Sequence, residues 1–83
     1  MNEKIQIITR EEANKILDSP GEKYEPFGRY LISDKIEGFT IWTAIDNTTG
    51  EAFTEEYWSK EEAIRYLESK PSFNLYGQMI GKR

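Results

Sequence analysis

The chain has 83 residues with 11 basic and 15 acidic side chains, a net charge of −4, and neither cysteine nor histidine. A chain of this size hides only about 60–65% of its unfolded surface, so residues 1–83 form one domain with a thin core built largely from aromatic rings. The missing Cys and His exclude disulfides, zinc sites with nitrogen or sulfur ligands, and the common Cys–His and Ser–His nucleophiles. No enzymatic activity and no cofactor is expected.

Lys4 to Ile8 reads as a short first strand. Thr9-Arg10-Glu11-Glu12 is a capping box that starts a helix at Arg10, with Ala13, Ile16 and Leu17 on its inward stripe. Ser19-Pro20-Gly21 ends that helix, because proline cannot continue the hydrogen-bond ladder. At about nine residues it is too short to persist without packing.

Three further strands are predicted, Gly28 to Asp34, Gly38 to Asp46 and Glu51 to Tyr57. Short joints at Lys35-Ile36-Glu37 and Asn47-Thr48-Thr49-Gly50 make them an antiparallel meander. Ser59-Lys60-Glu61-Glu62 is a second capping box, opening a helix with Ala63, Ile64 and Leu67 inward, Tyr66 at the flank, and an end near Ser69-Lys70-Pro71. Thr9 to Ser19 and Ser59 to Ser69 share a pattern, read either as a duplication or, since the strands show no matching repeat, as the common grammar of helix starts. Residues 70–83 read either as a final short strand or as a mobile tail, with Phe73, Leu75, Tyr76, Met79 and Ile80 as anchors. The fold class is therefore α+β: a three- or four-stranded antiparallel sheet with two short helices on one face, in the order (β)-α-β-β-β-α-(β).

In the central strand Phe39, Ile41, Thr43 and Ile45 share one face and Thr40, Trp42, Ala44 and Asp46 the other. The first set is the expected core face. Trp42 then lies on the open face, under a loop or tail unless it marks a binding patch.

From Ile36 to Ser59 there is no Lys or Arg, against Glu37, Asp46, Glu51, Glu55 and Glu56. Asp46 to Glu51 superficially suggests a calcium loop, but Tyr57 stands where an EF-hand needs its twelfth-position Glu. Glu51 and Glu55 are about 13–14 Å apart along a strand, too far for a glycosidase pair. No metal site is assigned.

The longest apolar run, Tyr30-Leu31-Ile32, is far below the roughly 20 residues that span a bilayer, and Met1-Asn2-Glu3-Lys4 lacks a signal-peptide core, so a cytoplasmic location without membrane attachment is expected. The element order over residues 28–69, with its S-x-E-E-A helix opening, resembles the double-stranded-RNA-binding domain and the sheet-plus-helix modules of AP2 factors and integrase arm domains. Those families meet nucleic acid through Lys and Arg, whereas here Lys60 is followed by Glu61 and Glu62 and the last two strands carry no cation. Ala44-Ile45-Asp46-Asn47, Thr49-Gly50-Glu51, Glu55 or Glu56, Tyr57 or Trp58, and Glu61-Glu62-Ala63-Ile64 with Leu67 resemble small uncharacterised proteins of phages, prophages and mobile elements of low-GC Gram-positive bacteria. That resemblance implies no activity.

The expected function is a protein-binding module, an accessory or inhibitor protein that docks a host protein with a basic surface, or mimics nucleic acid, through an acidic, aromatic-rimmed sheet. Trp42, Glu51, Glu55, Glu56, Tyr57 and Trp58 would carry it, in a monomer or small homo-oligomer. The alternative is nucleic-acid binding by Arg10, Lys15, Arg29, Lys70, Lys82 and Arg83. The acidic stretch would otherwise serve only to keep the sheet soluble.

Overall fold

The computed structural model describes residues 4–19 and 21–81. Pro20, Lys82 and Arg83, all invoked above, lie outside them. Strands β1 (Ile5–Ile7), β2 (Gly28–Ile36), β3 (Phe39–Asn47) and β4 (Phe53–Tyr57) form a mixed sheet in the order β1-β2-β3-β4, with helix α1 (Arg10–Leu17) between β1 and β2 and helix α2 (Lys60–Leu67) after β4. The β2–β3–β4 meander is antiparallel, as expected, while β1 runs parallel to β2 with Ile5 opposite Arg29. The parallel pairing is possible because α1 supplies the crossover that a parallel neighbour needs.

The two helices do not share a face. Ala13 and Ile16 of α1 pack on Tyr30, Ile32 and Ile45, whereas Ala63, Tyr66 and Leu67 of α2 pack on Leu31, Ala44 and Tyr57. Tyr30 and Ile45 are directly opposed, as are Leu31 and Ala44, so the two clusters occupy opposite sides of the pleat. The expectation of both helices on one side is thus corrected. A sheet covered on both sides needs apolar residues in both alternation classes. Tyr30-Leu31-Ile32, all three buried, supplies them.

Turn chemistry sets the register. Glu37 and Gly38 join β2 to β3 with φ of 50° and 85°, the two positive values that a two-residue type I′ hairpin requires. The β3–β4 turn is longer than expected, because buried Asn47 continues β3 and its side-chain Oδ1 accepts from the Ala52 amide, wrapping residues 48–52 around it. Asn47 Nδ2 donates to the carbonyls of Tyr24 and Pro26, anchoring the 21–27 loop to the same turn.

The tail is folded. Strands β5 (Ser72–Phe73) and β6 (Met79–Ile80) make a separate small hairpin. The α1 capping box forms as expected, with Thr9 and Glu12 exchanging bonds to each other's backbone amides. At α2 only half of it forms: Ser59 caps the Glu62 amide, but Glu62 Oε1 accepts from the Phe73 amide at 2.7 Å and so ties the tail to the helix. Below it, the hydroxyls of Tyr57 and Ser72 meet in a buried hydrogen bond of 2.7 Å.

Asn47→Ala leaves two carbonyls and one amide without their side-chain partner, so chemical denaturation should show a loss of at least about 2 kcal/mol, against less than about 0.5 kcal/mol for the exposed Asn14→Ala. Glu37 holds a left-handed conformation that Gly or Asn adopts readily, so Glu37→Gly should raise the unfolding free energy by about 0.5–1 kcal/mol, read as a higher denaturation midpoint. Glu12 has its carboxyl pKa held below its ordinary value, first by the Thr9 amide and then by the Thr9 hydroxyl. Its contribution to α1 is therefore complete above the ordinary glutamate pKa and should be lost as pH falls through the lower folded value, an acid-dependent loss of helix that circular dichroism would show in the native chain and not in a Glu12→Gln variant.

Candidate functional site

An α-helix rises 1.5 Å per residue and a strand about 3.4 Å, so the eight residues of α1 cover about 12 Å of strands that run about 30 Å. Each face of the sheet therefore has a stretch near the β2–β3 hairpin that its helix does not reach. On the α2 side those positions are Ser33, Lys35 and Thr40, which are polar. On the α1 side they are Ile36, Phe39 and Ile41, which are apolar, together with Asp34, which is ion-paired with Arg10. Polar residues predominate where cover is lost on the α2 side, and apolar ones on the α1 side.

This uncovered α1-side region is the candidate site. Phe39 sits opposite Ile36, and Ile41 opposite Asp34. Trp58, just past β4, meets Phe39 edge-on with ring centres 5.8 Å apart and planes at 66°. Ile36 is 53% exposed, Trp58 56% and Phe39 62%, so three large apolar side chains face solvent side by side. Isolated exposed apolar residues are ordinary, but a contiguous group of them with a polar border is the usual form of an interaction surface.

Its border is defined. Trp58 Nε1 donates to the Leu75 carbonyl at 3.1 Å, which fixes the indole against the tail. Tyr76 donates its phenolic hydrogen to Glu56 Oε1, and Leu75 N–H reaches the Glu56 carbonyl, so the tail runs along the outer edge of β4. Glu56 lies opposite Thr43 on the same face. On the far side Arg10 is ion-paired with Asp34 and reaches Thr43 Oγ1. Glu56 raises the Tyr76 pKa, first through the hydrogen bond and then through its charge.

The residues singled out in the sequence are not brought together. Tyr57 is fully buried under α2 and does not rim any surface. Trp42 is half-buried against the α2 cluster with the Lys60 ammonium 5.6 Å above its ring, so it belongs to the covered face rather than an open one. Glu51 is at the β3–β4 turn, bonded by the Thr49 hydroxyl. Glu55 and Glu56 alternate to opposite faces, and Glu55 accepts from the Asn74 side chain. Trp58 and Glu56 remain at the candidate site. Ile36, Phe39, Ile41 and Tyr76 join them. The apolar alternation of β3 marks Phe39 and Ile41, but an eight-residue helix is too short to cover a nine-residue strand, so both lie past the covered core.

Of the cations in the nucleic-acid reading, Arg10 is paired with Asp34, Lys70 with Glu68, and Arg29 is half-buried in β2. They do not form one patch around α2, whose first turn carries Glu61 and Glu62. A cleft of about 410 Å³ lies between β1, α1 and residues 25–27, over Ile8, Ile16 and Tyr30, but Glu12 on its wall is committed to the α1 cap. Among the described residues no three acidic side chains converge as metal ligands, and no helix is long and apolar enough to cross a membrane. Neither a protein-family model nor a curated protein or solved structure matches the chain.

Because the Tyr76 pKa is raised in the folded state, the tail contact is intact below the ordinary tyrosine pKa of about 10 and weakens as pH climbs through the higher folded value. Glu56→Gln should bring the Tyr76 titration, followed through its ring resonances by NMR, down toward the ordinary value.

Proposed function

We propose that this protein is a non-enzymatic binding module that docks a partner protein on the α1-side region of its sheet through Ile36, Phe39, Ile41 and Trp58. The observation that carries the reading is the asymmetry between the two uncovered regions: one is polar, as solubility requires, and the other keeps apolar side chains in solvent. Burying such side chains is worth about 25 cal/mol per Å², and aromatic residues at the centre of an interface with a polar rim are the usual carriers of binding energy. Asp34 is paired with Arg10, so Glu56 is the acid that gives this rim its sign, which suits a basic partner. The resemblance to small proteins of phages and mobile elements fits a role as an accessory or inhibitor protein acting on a host component.

Affinity purification with the tagged chain from a low-GC Gram-positive lysate, beside an Ile36→Ser/Phe39→Ser variant shown to be folded, tests the reading. A partner retained by the native chain and lost from the variant, a drop of at least tenfold, is the expected result. Full retention by the variant would remove this face from consideration. Glu55 and Glu56 are poorer first targets, because replacing them unpins Asn74 and Tyr76.

A further inference from the structure

We infer that the corner between Trp58, Phe39 and Glu56 receives a lysine or arginine side chain of the partner; the inference rests on the binding-module reading and specifies its chemistry. The Trp58 N–H is already engaged by the Leu75 carbonyl, so the indole is held in place and presents its ring rather than its donor. Phe39 meets it edge-on at 66° with ring centres 5.8 Å apart, so the indole is walled on one side by a second exposed ring. Ring faces are electron-rich and attract a cation within about 6 Å of the centroid.

The carboxylate that a cation also needs is at hand. Glu56 lies two residues before Trp58, on the same face, and its carboxylate accepts from the Tyr76 hydroxyl. The nearest cation from α1, Arg10, is held by Asp34, and residues 36–59 contain no Lys or Arg to fill the corner from within. The other tryptophan shows the completed arrangement: Trp42, on the opposite face, carries the Lys60 ammonium 5.6 Å from its ring centre. Trp58 offers the equivalent ring to solvent with an acid beside it. The occupant is accordingly a protein segment bearing an exposed Lys or Arg, flanked by apolar residues that cover Ile36 and Ile41.

The test is an NMR titration of the isotope-labelled full chain with hexa-arginine amide and with its neutral isostere, hexa-citrulline amide. The expected result is that arginine shifts the Trp58 indole and the Phe39, Glu56 and Tyr76 amides, citrulline does not, and both Glu56→Gln and Phe39→Leu weaken arginine binding about fivefold to tenfold. Glu56→Gln removes the charge but keeps an oxygen that accepts from the Tyr76 hydroxyl, so it leaves the tail pinned and keeps the inference testable should the other variant perturb the fold. Equal shifts with citrulline, shifts spread over distant acids such as Glu22, Glu25 and Glu51, or no shifts at all would overturn it. So would concentration-dependent shifts of the same residues without peptide, which would assign the corner to a second copy of this chain. In each of these cases the lysate experiment stands separately: a partner lost on Ile36→Ser/Phe39→Ser keeps the binding module and removes only its cation specificity.

Discussion

The nine-residue ladder between β2 and β3 sets the scale for the rest of the molecule. It is buried on both sides near its Tyr30–Ile45 end, which requires a helix on each face, and the chain supplies two helices of only eight residues. Neither helix can cover a strand more than twice its length. The residues beyond the reach of each helix are set by solvent and not by core packing, and they differ between the two faces. The exposed aromatic corner follows from a mismatch of lengths, not from a dedicated loop or insertion.

A core this thin is supplemented by buried polar groups that are each fully employed. Asn47 and Asn74 act alike: each uses its carboxamide to organise a turn just beyond it in sequence and to bind a second element. Asn47 joins the 21–27 loop to the β3–β4 turn, and Asn74 joins the tail turn to β4 through Glu55. The Tyr57–Ser72 hydroxyl pair seals the tail beneath α2. Buried polar groups stabilise only when their partners are present, so these three clasps also specify one arrangement of loops over the sheet.

Much of this was legible from residue patterns. Thr9 and Ser59 cap the helices where expected, the meander follows from its Gly and Asn turns, and the element order is as read. The placement of helices was not, because Phe39, Ile41 and Ile45 outweigh Trp42 and Ala44 in bulk, and bulk was taken to mark a single core face. The better guide was Tyr30-Leu31-Ile32, since three consecutive buried residues can only point to both sides of a strand. The second half of the α2 capping box also failed locally, for a tertiary reason: Glu62 bonds the Phe73 amide, a contact eleven residues away that no helix-start rule contains. Trp58 and Glu56 were found by composition and charge, whereas their neighbours Ile36 and Tyr76 are identified only by exposure and by contact with the tail.

The parallel strand at the sheet's edge has a kinetic meaning. The hairpins β2–β3 and β3–β4 close over turns of two and five residues, and their chain-closure entropy is small. β1 instead finds β2 across twenty-four residues, from Ile5 to Arg29, and does so through only three register pairs. Loop closure over that span is repaid late, after the meander and α1 have provided a surface to dock on. Three register pairs join β1 to β2, against nine between β2 and β3 and five between β3 and β4, so the opening of β1 breaks the shortest ladder of the sheet.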